Sequence, residues 1–367
     1  MLERIYIENL KCFKKQFINF EKLTLLTGFN ASGKSTTIQS LLLANQMTRH
    51  HQESPFIPLN GPIVKLGSVA DVLNEDAKTR EIKLIFEGSS DKISYNLDAS
   101  ERQKTFLKRH GIPTQASGTS ALNNQIGNII YLGALRHGVD DAFPTPENPD
   151  PIHADVGNHG QFAPWWLAEY SDEDVMPSRL HTNERAPTLR RQVNAWLSDI
   201  FPKCEVNAVK IPSTSLVKFE LRTKNTEGWR RPANIGYGLS YAFPIVLASL
   251  LAKEGQILII DSPEAHLHPQ GQSKIGEFLA RIASTGPQIV LETHSDHVVN
   301  GVRLAASKGN IGHEDIAIHF FKQELVSGEN KTIITTPEVN ADGTLSEWPT
   351  GFFDQSEIDM STLAGWN

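Results

Sequence analysis

The segment from Gly28 to Ser35 has the composition and spacing of a loop that binds phosphate. It reads Gly-x-x-x-x-Gly-Lys-Ser, in which the glycines let backbone N–H groups close around phosphate oxygens. Lys34 is expected to reach the β- and γ-phosphates of ATP, and Ser35 to hold Mg²⁺. The predicted nucleotide-binding residues are Gly28, Asn30, Ala31, Ser32, Gly33, Lys34, Ser35 and Thr36.

The residues on either side of this loop predict the elements that must position it. Leu23 to Leu26 is a mostly apolar run that predicts a buried strand. After the loop, Ile38, Leu41 and Leu42 share one face of a helix. A strand, a glycine loop and a helix N-terminus in this order favour an anion at the helix start, because the helix dipole is positive there.

A second group of chemically capable residues follows two apolar runs in the C-terminal half. Gln256 to Asp261 and Gln288 to Leu291 predict parallel strands buried on both faces, with a helix over Ile275 to Ile282 between them. Asp261 is expected to bind Mg²⁺ from the end of its strand, beside the phosphate loop. His294 follows the second strand and is expected near the γ-phosphate.

Together these motifs resemble those of ABC-type ATPases. Asp261 to Pro269 resembles a Walker B segment, Glu292 to His297 a switch-histidine segment, and Asn234 to Ser240 a signature segment. The likeness is closest to ATPase heads of the OLD, SMC and RecF group, and among them to short stand-alone ATPases associated with phage defence. It extends to the C-terminal segment Trp348 to Gln355 and to the segment Asn9 to Phe13. By the resemblance, Asn9 to Phe13 would lie near the adenine and ribose.

The resemblance implies a fold and a division of the chain. The fold is the α/β fold of a P-loop NTPase of ABC-ATPase type, with a mixed β-sheet core flanked by helices, an antiparallel β subdomain and a helical and loop insertion. Residues 1–100 would form an N-terminal ATPase lobe, 101–230 the insertion, and 231–367 a C-terminal lobe with the signature, Walker B and switch histidine. The chain has no sustained heptad pattern and so lacks the long arms of SMC proteins.

The resemblance also implies a homodimer, or a higher oligomer, in which two heads sandwich two ATP molecules. Gly236, Gly238 and Ser240 are then expected to contact the γ-phosphate held by the other head, because glycines and a hydroxyl at a helix start can bind an anion. The segment departs from the transporter-like Leu-Ser-Gly-Gly-Gln pattern. Gly236 and Ser240 therefore both remain candidates for the position of the signature serine.

A departure at position 262 affects the chemistry. The family pattern has a glutamate there that polarises the attacking water, whereas this chain has Ser262, which cannot act as a carboxylate base. Glu264 and Glu292 are the available substitutes, and Glu264 is the predicted base. The predicted catalytic residues are Lys34, Asp261, Glu264 and His294, and the predicted Mg²⁺ ligands are Ser35 and Asp261.

The histidines of the same region allow a competing hypothesis. Four histidines and four acids could build the site of a metal-dependent hydrolase. The ATPase interpretation is favoured because it already gives Asp261 and His294 roles. The residues concerned are His266, His268, His294, His297, Asp261, Glu264, Glu292 and Asp296.

Composition bounds the partners and the compartment. The 367 residues carry a formal net charge of -7, so DNA binding would need a local basic face, for which Arg230 and Arg231 are candidates. Cys12 and Cys204 lack the spacing of a metal site or a disulfide framework. Since no apolar run approaches the roughly 20 residues that span a bilayer, no membrane partner is expected and the protein is predicted to be cytoplasmic.

Other segments carry weaker predictions. Leu2 to Ile7 alternates like an edge strand, and Ala116 to Gly127 is rich in small and polar residues and predicts a flexible connection. Thr332 to Val339 and Gly343 to Phe353 predict closing strands and a turn.

The sequence favours a dimeric ATPase that binds and hydrolyses ATP. We expect it to be the sensor or motor subunit of a bacterial anti-phage defence complex. Because the residues after His297 lack a further acidic cluster of the OLD nuclease type, the nuclease or toxin it controls is expected on a separate polypeptide. Two alternatives remain: a nucleotide-gated scaffold that does not hydrolyse ATP, and a RecF-like DNA repair ATPase.

Overall fold

The protein was analysed as a computed structural model that describes residues 1–111, 114–115, 120–138, 140–151, 153–223, 228–234, 236–326, 329–349 and 351–365. Ile235 of the predicted signature, Thr350 of the C-terminal motif and residues 116–119 of the predicted connection lie outside these ranges. Within them, no helix combines the length and the apolar character needed to cross a bilayer.

The described residues form both strands and helices, and the two kinds of element are mixed along the chain. The strands are β1 (Leu2–Leu10), β2 (Phe13–Asn19), β3 (Leu23–Gly28), β4 (Phe56–Pro58), β5 (Glu81–Gly88), β6 (Lys92–Asp98), β7 (Phe106–Arg109), β8 (Thr114–Gln115), β9 (Ile130–Leu132), β10 (Ala142–Pro144), β11 (Glu205–Lys210), β12 (Leu216–Arg222), β13 (Ile257–Asp261), β14 (Gln288–Glu292), β15 (Ile316–Val326) and β16 (Glu329–Thr335). The helices are α1 (Lys34–His50), α2 (Val69–Val72), α3 (Ala121–Gly127), α4 (Ala163–Tyr170), α5 (Leu189–Ile200), α6 (Tyr237–Leu251), α7 (Pro269–Ala283), α8 (Asp296–Ser307) and α9 (Gln355–Leu363).

The chain forms two compact units. Unit 1 comprises Met1–Ile129, Ile316–Asn340 and Thr344–Asn367, and unit 2 comprises Ile130–Asp315 and Ala341–Gly343. The division at residues 100 and 230 that the resemblance implies does not coincide with these boundaries and stays a prediction.

Unit 1 contains an antiparallel sheet in the order β2-β1-β5-β6-β7-β4, with β8 also paired to β6. Leu2, Ile5 and Ile7 of β1 are fully buried, and β1 lies between β2 and β5. The prediction of an edge strand was therefore wrong. Alternation reports burial of one face of a strand, and a central strand of a one-sided sheet alternates in the same way.

The phosphate loop of unit 1 lies between β3 and α1. β3 pairs in parallel with β15, and β15 pairs antiparallel with β16. Helix α1 is buried along most of its length, and its buried polar side chains include Asn45. The side-chain amide of Asn45 donates to the carbonyl oxygens of Ile126 and Gly127 at 2.6 and 3.1 Å. The predicted strand and helix around the loop are both present.

Helix α3 begins inside the predicted flexible connection, which corrects that prediction. Ser120 caps the helix by accepting a hydrogen bond from the backbone N–H of Asn123 at 3.2 Å. A serine followed by small and amide residues was therefore a helix start rather than a linker.

The closing part of unit 1 also differs from the expectation. The strand β16 is present, but the described residues from Gly343 to Phe353 form no strand and contribute only one bridge, between Leu345 and Val339. The chain then enters α9, which the sequence reasoning missed.

Unit 2 contains the predicted parallel strands. β13 pairs in parallel with β14 on one side and with β9 on the other, and α7 connects β13 to β14. β10, β12 and β11 form a separate antiparallel sheet. The parallel pairing of β13 and β14 brings their carboxyl ends, and hence Asp261 and Glu292, to the same edge of the parallel sheet.

A buried arginine closes the C-terminus of α6. Arg179 donates from its guanidinium to the carbonyl oxygens of Leu250 and Ala252 and to the hydroxyl of Thr285. Burial lowers the pKa of Arg179 to about 10. Because this pKa is still well above 7, Arg179 remains charged at neutral pH. The last carbonyls of a helix have no partners within the helix, and Arg179 supplies them.

We expect Arg179→Met to lower the free energy of unfolding by about 2–4 kcal/mol, because several buried carbonyls lose their donor together. Urea unfolding followed by circular dichroism measures this change. Arg190→Met is the control: Arg190 is half-exposed and faces Asp172 at 3.7 Å, so its loss should cost no more than about 0.5 kcal/mol. Equal stability of the two variants would contradict the assignment.

Candidate nucleotide-binding site

Two glycines give the phosphate loop its shape. Gly28 and Gly33 adopt φ values of 116° and 120°, which side chains rarely tolerate. A Cβ atom on Gly28 would lie 2.2 Å from the carbonyl oxygen of Phe321, and one on Gly33 would lie 2.6 Å from the ring of Phe13. Both positions therefore require glycine for backbone conformation and for space.

Lys34 is buried at the start of α1, with 3% of its surface exposed. Its ammonium donates hydrogen bonds to the carbonyl oxygens of Phe29 and Gly28 at 2.6 and 3.1 Å. The hydroxyl of Ser32 also donates to the Phe29 carbonyl, at 2.6 Å. The loop thus encloses a positive charge beside the N-terminus of a 17-residue helix, an arrangement that favours a bound anion.

The other predicted nucleotide-binding residues lie around this lysine. Asn30, Ala31 and Ser35 are exposed, which leaves the hydroxyl of Ser35 accessible at the first turn of α1. Thr36 is buried, and its hydroxyl lies 3.7 Å from the sulfur of Cys12.

A cavity of about 590 Å³ adjoins the loop within unit 1. Phe13 and Cys12 form part of its wall and also contact Gly33. The lining residues are Glu8, Asn9, Cys12, Phe13, Lys14, Lys15, Gln16, Asp76, Lys78, Thr79, Lys331 and Thr332. Its position beside the loop and its size suit a nucleoside, and its wall includes part of the predicted Asn9 to Phe13 segment.

The side chains of Lys11 and Cys12 in that segment form hydrogen bonds with neighbouring residues. Lys11 donates to the side-chain oxygen of Gln39 at 2.8 Å, and burial lowers the pKa of Lys11. Burial likewise raises the pKa of the Cys12 thiol, despite hydrogen bonds to threonine hydroxyls. The segment is therefore anchored to α1.

In unit 2, Asp261 stands at the end of β13 with its carboxylate engaged. Its Oδ1 accepts a hydrogen bond from the hydroxyl of Ser262 at 2.9 Å. Asp261 and Glu292 are in register on the parallel strands β13 and β14, so their side chains leave the same face of the sheet. Ser262 thus contacts the neighbouring aspartate.

Both carboxylate oxygens of Glu264 already accept hydrogen bonds. One accepts from the hydroxyl of Thr293 at 2.7 Å, and the other from the backbone N–H of His294 at 2.9 Å. Glu264 therefore joins the Walker B segment to the switch-histidine segment. The side chain of His294 is exposed while its backbone is fixed in this way.

Arg136 is a residue of this site that the sequence reasoning did not single out. Its guanidinium donates to the backbone carbonyls of Asp261 and Ser262 and lies 5.8 Å from the centre of the Tyr241 ring. Burial lowers the pKa of Arg136 to about 10, while the charges of Asp261 and Glu264 oppose that shift. A lone arginine after a short strand carries no sequence signal for such a role.

The predicted signature residues lie at the start of α6 but differ in access. Gly236 precedes the helix with φ 102° and is exposed. A Cβ on Gly238 would lie 2.7 Å from the backbone oxygen of His266. Ser240 is 3% exposed, so its hydroxyl does not face the surface. Access favours Gly236 as the counterpart of the signature serine.

The histidines of the competing hydrolase hypothesis are dispersed. His266 stacks on Tyr237, with ring centres 5.4 Å apart, and His268 caps α7 by accepting from the N–H of Gln270. In the part of the chain that the structure describes, no three His, Cys, Asp or Glu side chains are grouped so that they could hold a metal ion.

Family profiles match three parts of the chain. A profile described as "AAA ATPase domain" matches residues 1–132, and "AAA domain, putative AbiEii toxin, Type IV TA system" matches residues 159–300. "Protein of unknown function (DUF3696)" matches residues 311–363.

Two curated relatives share sequence with the chain. The Old nuclease of Escherichia phage P2 is 21% identical over 369 residues, covering 86% of this chain and 61% of the relative. The energy-coupling factor transporter ATP-binding protein EcfA2 of Symbiobacterium thermophilum is 43% identical over 61 residues, covering 16% of this chain and 21% of the relative. The chain therefore spans less than two thirds of the length of either protein.

Solved structures of SMC heads have a similar fold. An Smc head bound to the C-winged helix domain of ScpA gives a TM-score of 0.50 at 11% identity, over 91% of this chain and 97% of that one. An Smc head with an extended coiled coil, bound to the C-terminal domain of ScpA derived from Pyrococcus furiosus, gives 0.50 at 10% identity over 99% of both chains.

The chain has the fold of an OLD- and SMC-like ABC-type ATPase head. The predicted fold class and the resemblance to this group are thereby confirmed. In this head, unit 1 brings together the residues predicted to bind the nucleotide phosphates, and unit 2 brings together Asp261, Glu264, Glu292 and His294. The catalytic, metal and signature roles of these residues stay predictions.

The contacts of Glu264 generate a stability prediction. We expect Glu264→Leu to lower the free energy of unfolding by about 1–2 kcal/mol, because the partly buried hydroxyl of Thr293 and the more exposed backbone N–H of His294 both lose their acceptor. Glu264→Gln should cost less, since the amide keeps one acceptor and the hydroxyl of Thr293 can reverse its bond. Urea unfolding measures both, with Glu254→Gln as an exposed control. Wild-type stability in Glu264→Leu would show that these bonds are not holding the two segments.

Proposed function

We propose that this protein is an ATP-binding ABC-type ATPase that hydrolyses ATP slowly. The observation that carries the proposal is the phosphate loop, which encloses the Lys34 ammonium at the start of α1 and adjoins a cavity of about 590 Å³. The triphosphate would occupy the loop and the nucleoside the cavity. Lys34 would exchange its bonds to loop carbonyls for bonds to phosphate oxygens.

The two predicted ligands are of a chemical type that suits Mg²⁺. The Ser35 hydroxyl and the Asp261 carboxylate are hard oxygen ligands of the kind that magnesium prefers. When bound, the ion would neutralise charge on the phosphates. The other contributions belong to the protein: the loop amides would orient the phosphates, Lys34 would stabilise developing negative charge, and His294 would contact the γ-phosphate as the resemblance implies.

Slow hydrolysis is proposed from the arrangement around Asp261. Ser262 replaces the usual base, and both oxygens of Glu264 are engaged by Thr293 and His294. These contacts favour a positioning role for Glu264 over proton transfer. Glu292, the other candidate base, is in register with Asp261 on the adjacent strand.

The second candidate is a scaffold that ATP gates without being hydrolysed. Ser262 favours it, because binding ATP between two heads needs the loop and the signature but no base. In either case we propose a homodimer in which Gly236 at the start of α6 contacts the partner's nucleotide, with Gly238 shaping the turn.

For the biological role, we propose a sensor or motor subunit of an anti-phage defence system with a separate nuclease or toxin. The relationship to the Old nuclease of a phage supports this proposal. A RecF-like repair role is the alternative. It receives less support because Arg231, a candidate DNA contact, pairs with Asp141 at 3.0 Å, and the net charge is -7.

Lys34→Ala tests the enzyme. We expect phosphate release from ATP to fall about 100-fold or more, because a charge that stabilises the transferring phosphoryl group is lost. Lys92→Ala, a change of an exposed lysine in the same unit, should release phosphate like the wild type. A wild type that binds ATP and releases no phosphate would instead support the scaffold. If the wild type hydrolyses ATP and Lys34→Ala releases phosphate at the same rate, both candidates would be contradicted.

Cysteine labelling tests where the nucleoside lies. Cys12 lines the cavity, whereas Cys204 is buried elsewhere and burial raises its pKa to about 12. In native protein at about pH 8.5, a maleimide should therefore label Cys12 slowly and Cys204 hardly at all. Saturating Mg·ATP should slow labelling of Cys12 about tenfold or more, as followed by mass spectrometry with Cys204→Ala protein. An unchanged rate with bound ATP would place the nucleoside elsewhere.

A further inference from the structure

The hairpin of β15 and β16, inside the segment matched by the profile of unknown function, contacts the phosphate loop in several places. The backbone N–H of Phe29 donates to the carbonyl of Phe321 at 3.0 Å. Gly351, further along the same segment, would place a Cβ 2.7 Å from the Phe29 ring. Two parts of the C-terminal segment therefore lie against Phe29 of the loop.

Two side chains of this hairpin bind consecutive carbonyls of the loop. Gln323 donates from its amide nitrogen to the carbonyl of Ala31 at 2.9 Å, and Thr332 donates from its hydroxyl to the carbonyl of Ser32 at 3.0 Å. Gln323 and Thr332 are directly opposite one another in the β15–β16 ladder. Cross-strand partners leave the same face of a sheet, so the two side chains act on the loop as a pair.

Because of the geometry of the peptide bond, a contact that fixes a carbonyl also fixes the direction of the following N–H. A trans peptide is planar, and its C=O and N–H point in opposite directions. Holding the carbonyl of Ala31 therefore aims the N–H of Ser32 away from Gln323, and holding the carbonyl of Ser32 aims the N–H of Gly33 away from Thr332. Ala31 also has φ 58°, a left-handed conformation that is costly for alanine and needs external support.

We propose that Gln323 and Thr332 form a peptide clamp, a pair of positioning residues that aims the loop amides at the nucleotide phosphates. The clamp makes the hairpin β15–β16 part of the nucleotide site. Its effect on ATP rests on the proposed function, whereas its effect on the conformation of the loop does not.

Thr332 is the better member to test, because it is partly buried and also lines the adjoining cavity, whereas Gln323 is exposed. Thr332→Val removes the hydroxyl at nearly constant volume, and Thr332→Ser keeps it. Thr335→Val makes the same change three residues further along β16. Thermal unfolding of all three variants shows whether the fold is intact.

The first readout is hydrogen–deuterium exchange of the loop peptide covering residues 28–36 in nucleotide-free protein. Thr332→Val should raise its exchange rate about fivefold, while Thr332→Ser and Thr335→Val remain near the wild type. The second readout is binding of a fluorescent ATP analogue with Mg²⁺. Its Kd should rise about 3- to 10-fold in Thr332→Val, as expected for one hydrogen bond.

Wild-type exchange in Thr332→Val would overturn the clamp, as would equal exchange in Thr332→Val and Thr332→Ser. A rise in exchange over all of β16 together with a lower Tm would also overturn it, because the hydroxyl would then only support the strand. If the wild type bound no nucleotide, the proposed function would fail, but loop exchange would still decide the clamp.

Discussion

A loop that binds phosphate through backbone amides must turn those amides inward, and its carbonyls must then find donors on the outside. This protein meets that constraint with donors from several parts of the sequence. Lys34 and Ser32 bind the carbonyl of Phe29 from within the loop, while the β15–β16 hairpin binds the carbonyls of Ala31 and Ser32. The close approach of Gly28 to Phe321 and of Gly33 to Phe13 explains why those two positions are glycine. The phosphate loop is thus supported from both ends of the chain.

The segments around Asp261 are also fixed by hydrogen bonds from a few side chains. Arg136 binds the backbone at the end of β13 and also faces the Tyr241 ring on α6. Glu264 connects the loop after β13 to the segment after β14. A displacement at either segment would therefore be transmitted to the other, and through Arg136 to α6, the helix that begins at the predicted signature residues. Such linkage suits a nucleotide-dependent switch, in which rapid turnover is less important than a well-defined closed state.

The sequence predicted the features that local patterns encode. The glycine loop, the strands Ile257–Asp261 and Gln288–Glu292 and the helix between them depend on short-range spacing and apolar runs, and all are present. The clamp could not be predicted, because Gln323 lies 292 residues from Ala31 and Thr332 lies 300 residues from Ser32. Contacts across such separations leave no local pattern. The engagement of Glu264 was hidden for the same reason, so its assignment as a base relied on residue type alone.

The central claim is that unit 1 holds ATP with its phosphates in the Gly28–Ser35 loop and its nucleoside in the neighbouring cavity. A crystal structure with a non-hydrolysable ATP analogue and Mg²⁺ tests it most directly. The account predicts phosphate oxygens hydrogen-bonded to the N–H of Gly33 and to the Lys34 ammonium, with the base beside Cys12 and Phe13. Density for the analogue at another site, or phosphates bound without contact to Lys34, would contradict the account.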